Sequence, residues 1–172
     1  MNIHECIFPD RSLIANEIIS ADFHDSFRLL SLEGNLDPLD IYLIMVNNTP
    51  SWINRLLSLR NKLVHLLGLN DVGNLGAING LDFVDRENLI GEKLDIFIIE
   101  SFSKNEMILT QKDKHLDIKI SILKHENSLK TDLIVSTVVN FHNKLGKIYM
   151  TLIAPFHKVV VKRLMKNVIC KK

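Results

Sequence analysis

From Leu94 onward the apolar positions recur every second residue. The segments LDIFIIESF, EMILTQKD, HLDIKISILK and DLIVSTVVNFH read as four strands. Ser103-Lys104-Asn105, Asp113-Lys114 and the stretch from His125 to Ser128 separate them as turns. Connections this short make sequential antiparallel hairpins. In the third strand Leu116, Ile118, Ile120 and Ile122 face one way, and His115, Asp117, Lys119 and Ser121 face the other. The pattern predicts a sheet with one dry face and one wet face, and the dry face needs cover.

After Asn143 the period lengthens to that of a helix. LGKIYMTLIAPFHKVVVKRLMK, from Leu145 to Lys166, reads as one long C-terminal helix with Asn143 as N-cap. On a wheel, Ile148, Tyr149, Leu152, Phe156, Val159 and Val160 fall within roughly 60° of Leu145 and form the expected buried stripe. Lys147, Thr151, Lys158, Lys162 and Lys166 are assigned to a wet, basic face. Pro155 removes one backbone donor and crowds the Thr151 carbonyl, so a kink is expected there. Arg163 lands in the stripe, which places the end of the core before it.

The N-terminal half carries weaker signals. Residues 1–20 read as an arm. Residues 21–32 alternate moderately and suit a strand, and Glu33-Gly34-Asn35 turns the chain. Pro38 opens a helix to about Val46. Thr49-Pro50 opens a second, with Trp52, Leu56, Leu59, Leu63 and Leu66 at core spacing and Gly68 as its stop. Residues 70–93 hold Gly73, Gly76, Gly80 and Gly91 in an order that fits neither a dinucleotide fingerprint nor a phosphate loop. A loop is expected, and a lid over a pocket is its functional alternative. The order of strand, two short helices, antiparallel strands and long helix is α+β. It is also the order of the helix-grip fold, a curved antiparallel sheet wrapped around a C-terminal helix, as one domain over 21–172.

Composition narrows the function classes. An apolar fraction of 47% in 172 residues excludes disorder and allows a proper core. The net charge is +1, but residues 143–172 carry +8 with no acid, against −7 for the rest. Such a helix end suits an acidic or anionic surface, and equally a solvated face at a helix C-terminus. Nucleic acid is not expected, because the basic face has few interleaved aromatics. Cys6 and Cys170 form no disulfide framework or metal spacing, and the N-terminus does not read as a signal peptide. No apolar run reaches the ~18 residues of a membrane span. A reduced, cytoplasmic setting is expected.

The runs GEKLDIF from Gly91 and LGKIYMTLIAPFHKVV from Leu145, with Trp52 and Leu59-Arg60 upstream, resemble a bacterial domain-of-unknown-function family. The likeness covers roughly residues 21–168. That domain also occurs as the C-terminal part of some NAD(P)-binding, short-chain-dehydrogenase-like proteins, and it is similar to the START and polyketide-cyclase superfamily. The resemblance implies a helix-grip fold with space for an apolar ligand. It implies no activity, and with no nucleotide-binding domain expected ahead of it in this chain, no nicotinamide chemistry is carried over.

Three functions follow as expectations. The first is binding of a small apolar or amphipathic molecule between sheet and helix, lined by Tyr149, Leu152, Phe156, His157, Leu116, Ile118 and Ile120. The second is an interaction module that meets a protein or a membrane surface through Lys158, Lys162 and Lys166. The third is a cyclase- or isomerase-type enzyme with Tyr149 or His157 as proton donor, beside the plainer roles of a core tyrosine and a surface histidine. His115 and Asp117 share a strand face at a spacing that can seat a metal, but no third ligand is evident, and neither metal nor cofactor is expected. The seven histidines form no zinc-protease motif, and no nucleophile elbow is present.

Overall fold

The computed structural model describes residues 3–32, 36–47, 49–56, 58, 89–127 and 130–169. Strand β1 (Ile3–Glu5) leads through a 3-10 turn (Ala15–Ile19) to β2 (Phe23–Leu32) and helix α1 (Pro38–Asn47). Helix α2 is described over residues 51–56, so most of the second predicted helix and most of the predicted 70–93 loop lie outside the described residues. Strands β3 (Lys93–Leu94), β4 (Phe97–Phe102), β5 (Glu106–Lys112), β6 (Leu116–Asn127) and β7 (Lys130–Phe141) follow, and α3 (Lys144–Ile169) closes the chain.

All seven strands join one antiparallel sheet in the order β1-β2-β7-β6-β5-β4-β3. Its centre is built from the longest β-branched runs, β6 and β7, which suit a pleated surface buried on both sides. Register shifts between Leu29 and Leu32 and between Ile99 and Ser101 mark bulges, which bend strands and help curve the sheet. The α+β architecture is therefore an open, curved antiparallel sheet with a long C-terminal helix and short helices.

The inner face carries Phe27, Leu133, Val135, Ile122, Met107 and Leu109, all buried, under α1 and the second half of α3. Asp37 starts α1 by accepting a bond from the Asp40 amide at 2.8 Å, with Pro38 in the first turn. Tyr42 of α1 donates to Asp95 Oδ2 at 2.9 Å. Asp95 has φ 56°, and it divides the predicted 94–102 strand. Leu94 pairs with Phe97 across a two-residue turn, so β3 and β4 form a hairpin.

The outer face is drier than predicted. Phe8 and Ile14 of the N-terminal stretch pack on Ile108 and Val138. Beneath them Glu106 is buried and accepts bonds from Ser12 Oγ (2.6 Å), the Leu13 amide (2.9 Å) and Ser121 Oγ. Ser26 donates to Ser136 at 2.8 Å, with both side chains buried. The arm therefore covers the middle of the face that the alternation marked as wet.

Candidate functional site

α3 is fixed at its start to the β5–β6 turn and at its far end to α1. Asn143 is the N-cap: its Oδ1 accepts from the amides of Leu145 (3.1 Å) and Gly146 (3.2 Å). His115 Nδ1 lies 3.0 Å from the same oxygen, and Asn143 Nδ2 donates to the Lys114 carbonyl at 3.2 Å. Gly146 lies so close to the His115 carbonyl that an added Cβ would come to 2.2 Å. At the far end Asn167 Nδ2 donates to the Met45 carbonyl at 2.8 Å, and Arg163 Nη1 donates to Asn167 Oδ1 at 2.6 Å. Arg163 is held by this buried asparagine, and the core does not end before it as the stripe predicted: Leu164 and Met165 are buried and Val168 packs on the same cluster, and the helix runs on through Pro155.

The face that α3 turns to the sheet differs from the predicted stripe. Gly146, Met150, Val161, Leu164 and Met165 are buried, with Ala154, His157 and Val168 half-buried among them. On a wheel these all lie within roughly 80° of His157. Ile148, Leu152, Phe156 and Val159 are instead 53%, 59%, 53% and 56% exposed. The helix has apolar residues on two sides, and the sheet takes the other one. Leu152 and Phe156 therefore do not line the space between sheet and helix. Tyr149 is half-buried and packs against the cluster of Leu116, Val139 and Met150. Leu116 is buried and Ile118 and Ile120 are half-buried on the inner face, as the alternation predicts.

His157 points into the sheet at a buried acidic position of the inner face. Asp25 follows the inward register of β2 between Phe23 and Phe27, directly opposite Thr137 of β7. His157 Nε2 lies 3.2 Å from Thr137 Oγ1 and 3.5 Å from Asp25 Oδ1. The Phe23 ring meets the imidazole edge-on, with centroids 6.3 Å apart. Asp25 is 4% exposed and Thr137 2%. Neither carboxylate oxygen of Asp25 takes part in a hydrogen bond among the described residues. This polar seam lies between two apolar clusters, one around Leu116, Val139 and Met150 and the other around Phe27, Val135 and Val161. An imidazole beside a buried carboxylate and a hydroxyl can orient a polar ligand and can carry a proton. Sequence reading found His157 but missed Asp25 and Thr137. The signal for Asp25 was an acid in the apolar register Phe23-x-Asp25-x-Phe27.

The basic face is partly neutralised. Lys158 Nζ donates to Glu5 Oε1 at 2.8 Å, which holds the ammonium above the usual lysine pKa, with a smaller push from the Asp25 charge. Lys162 sits over the Phe27 ring, 5.1 Å from its centroid. Lys166 is exposed and lines up with Ile148, Leu152 and Val159 rather than with Lys158. His115 is buried on its Asn143 contact, and Asp117 Oδ2 meets His142 Nε2 at 3.3 Å. Among the described residues no group of three His, Cys, Asp or Glu side chains is placed to hold a metal.

The profile of one family, DUF2867, described as a protein of unknown function, matches residues 18–164. No curated protein and no solved structure matches the chain.

Proposed function

Because the chain belongs to the DUF2867 family, whose description assigns no activity, we propose from the geometry that it binds a small amphipathic molecule between the sheet and α3. The polar end of that molecule meets Asp25, Thr137 and His157. Its apolar body lies along the inner face toward Phe23, Ile118 and Ile120. The observation that carries this reading is the Asp25 carboxylate, buried without a hydrogen bond on either oxygen. A buried charge in that state costs several kcal/mol in general, and a ligand donor offsets that cost. The polar end is therefore a hydrogen-bond donor, such as a hydroxyl, amide or ammonium group, and not a carboxylate. The helix-grip likeness of a curved sheet under a long helix supports the same location.

Thermal unfolding with decanol, decanamide and decanoate tests this, because the three share a chain and differ in head group. Decanol and decanamide raise the melting temperature, decanoate does not, and Asp25→Leu removes the effect. Equal shifts for all three, or shifts that survive Asp25→Leu, contradict the reading.

The Asp25–His157 contact also favours a second reading, proton transfer on the bound molecule. His157 then moves the proton, while Tyr149 packs on the neighbouring cluster of Leu116, Val139 and Met150. Turnover of a bound ligand that disappears in His157→Gln, with binding retained, separates this from simple binding.

A further inference from the structure

Ile148, Leu152, Phe156 and Val159 of α3 stand in the open, each more than half exposed. Their spacings of four, four and three residues set them in a row about 16 Å long, on the side of the helix away from His157. A continuous apolar row of this kind marks an interaction surface. Its surroundings identify the partner. Lys144 and Lys166 are exposed at the two ends of the row, and Lys147 is exposed further round the helix. No ion pair neutralises these three among the described residues. Residues 143–172 contain no Asp or Glu.

An anionic bilayer surface supplies both matching properties, an apolar boundary layer and a field of negative charge. Pro155 is exposed on the same side and frees the Thr151 carbonyl. That carbonyl needs water, which is present at headgroup depth and absent from the hydrocarbon core. Among the described residues no helix is long and apolar enough to cross a membrane, which agrees with a helix lying in the surface plane. We infer that α3 docks this protein on anionic membrane surfaces through Ile148, Leu152, Phe156 and Val159, with Lys144 and Lys166 meeting the headgroups.

Co-sedimentation of the full chain with vesicles tests it. The protein sediments with phosphatidylcholine and phosphatidylglycerol mixed in equal parts, stays in solution with phosphatidylcholine alone, and is released by added salt. Leu152→Glu abolishes sedimentation and leaves the melting temperature unchanged, because the side chain is exposed. Lys144→Glu combined with Lys166→Glu weakens partitioning by at least about thirtyfold, the loss expected for two surface charges. The proposal is overturned if the wild-type chain ignores the mixed vesicles or binds both vesicle types equally. It is also overturned if Leu152→Glu instead splits a concentration-dependent dimer, which assigns the row to a second copy of the chain.

Discussion

The imidazole Nε2 of His157 stands 3.5 Å from Oδ1 of Asp25, across the seam between α3 and β2. The two residues are far apart in the sequence, and the packing of helix on sheet alone brings them together. If this were a structural ion pair, removing its charge would cost about 3–5 kcal/mol. A carboxylate held ready for a ligand behaves differently. Asp25→Asn is expected to stabilise the free protein by about 1 kcal/mol, since it removes a buried charge that lacks hydrogen bonds. Urea unfolding of the two proteins checks the sign.

Gly146 is required by a close approach. A methyl group there would meet the His115 backbone carbonyl, which cannot move without disturbing the β5–β6 turn and the Asn143 cap. Gly146→Ala should cost about 1–3 kcal/mol despite the better helix propensity of alanine. Asn143→Ala should cost about 1 kcal/mol through loss of the cap. Thermal melts of both variants provide the test.

Tyr42 gives the protein an alkaline limit. Burial, reinforced by the charge of Asp95 and the bond to it, pushes the phenol far above the usual tyrosine pKa of about 10. The folded state therefore keeps a proton that the unfolded chain loses above about pH 10. The associated stability is complete below that pH and falls by about 1.4 kcal/mol per unit above it. Tyr42→Phe should lose about 1 kcal/mol at neutral pH and show a shallower alkaline decline than wild type. Unfolding at pH 7 and at two values above 10 measures both.

Glu106 fastens the N-terminal stretch to the outer face by hydrogen bonds from Ser12 and Leu13, and is itself held by Ser121 of β6. Glu106→Ala leaves two buried hydroxyls with one partner fewer, and about 2–4 kcal/mol should be lost. The loss should be local first. Amide exchange at Leu13 should quicken more than exchange in β7.

The strands of the second half were legible because one apolar residue in two is an unambiguous signal once a sheet face is dry. Asp95 escaped notice because a left-handed residue inside an apolar run leaves the alternation almost intact. β1 escaped because Ile3-His4-Glu5 is too short to show a period. Asn143 was readable as a cap, and so were the start and length of α3. Its buried face was not. Leu145, Ile148, Leu152 and Phe156 form as good an apolar arc as Met150, Ala154, Val161 and Leu164, and periodicity cannot say which arc meets the sheet. The histidine at the centre of the second arc was visible, but its partners belong to distant strands. Asp25 had a local signature, an acid between two inward phenylalanines, while Thr137 had none.

The central claim is a donor-bearing ligand held at Asp25, and native mass spectrometry tests it most directly. The protein is sprayed as isolated and again with decanamide added, beside Asp25→Leu treated in the same way. The expected result is a discrete added mass on the wild-type chain that is lost on denaturation and absent from the variant. The bare chain mass under every condition, or an adduct undiminished in Asp25→Leu, contradicts it.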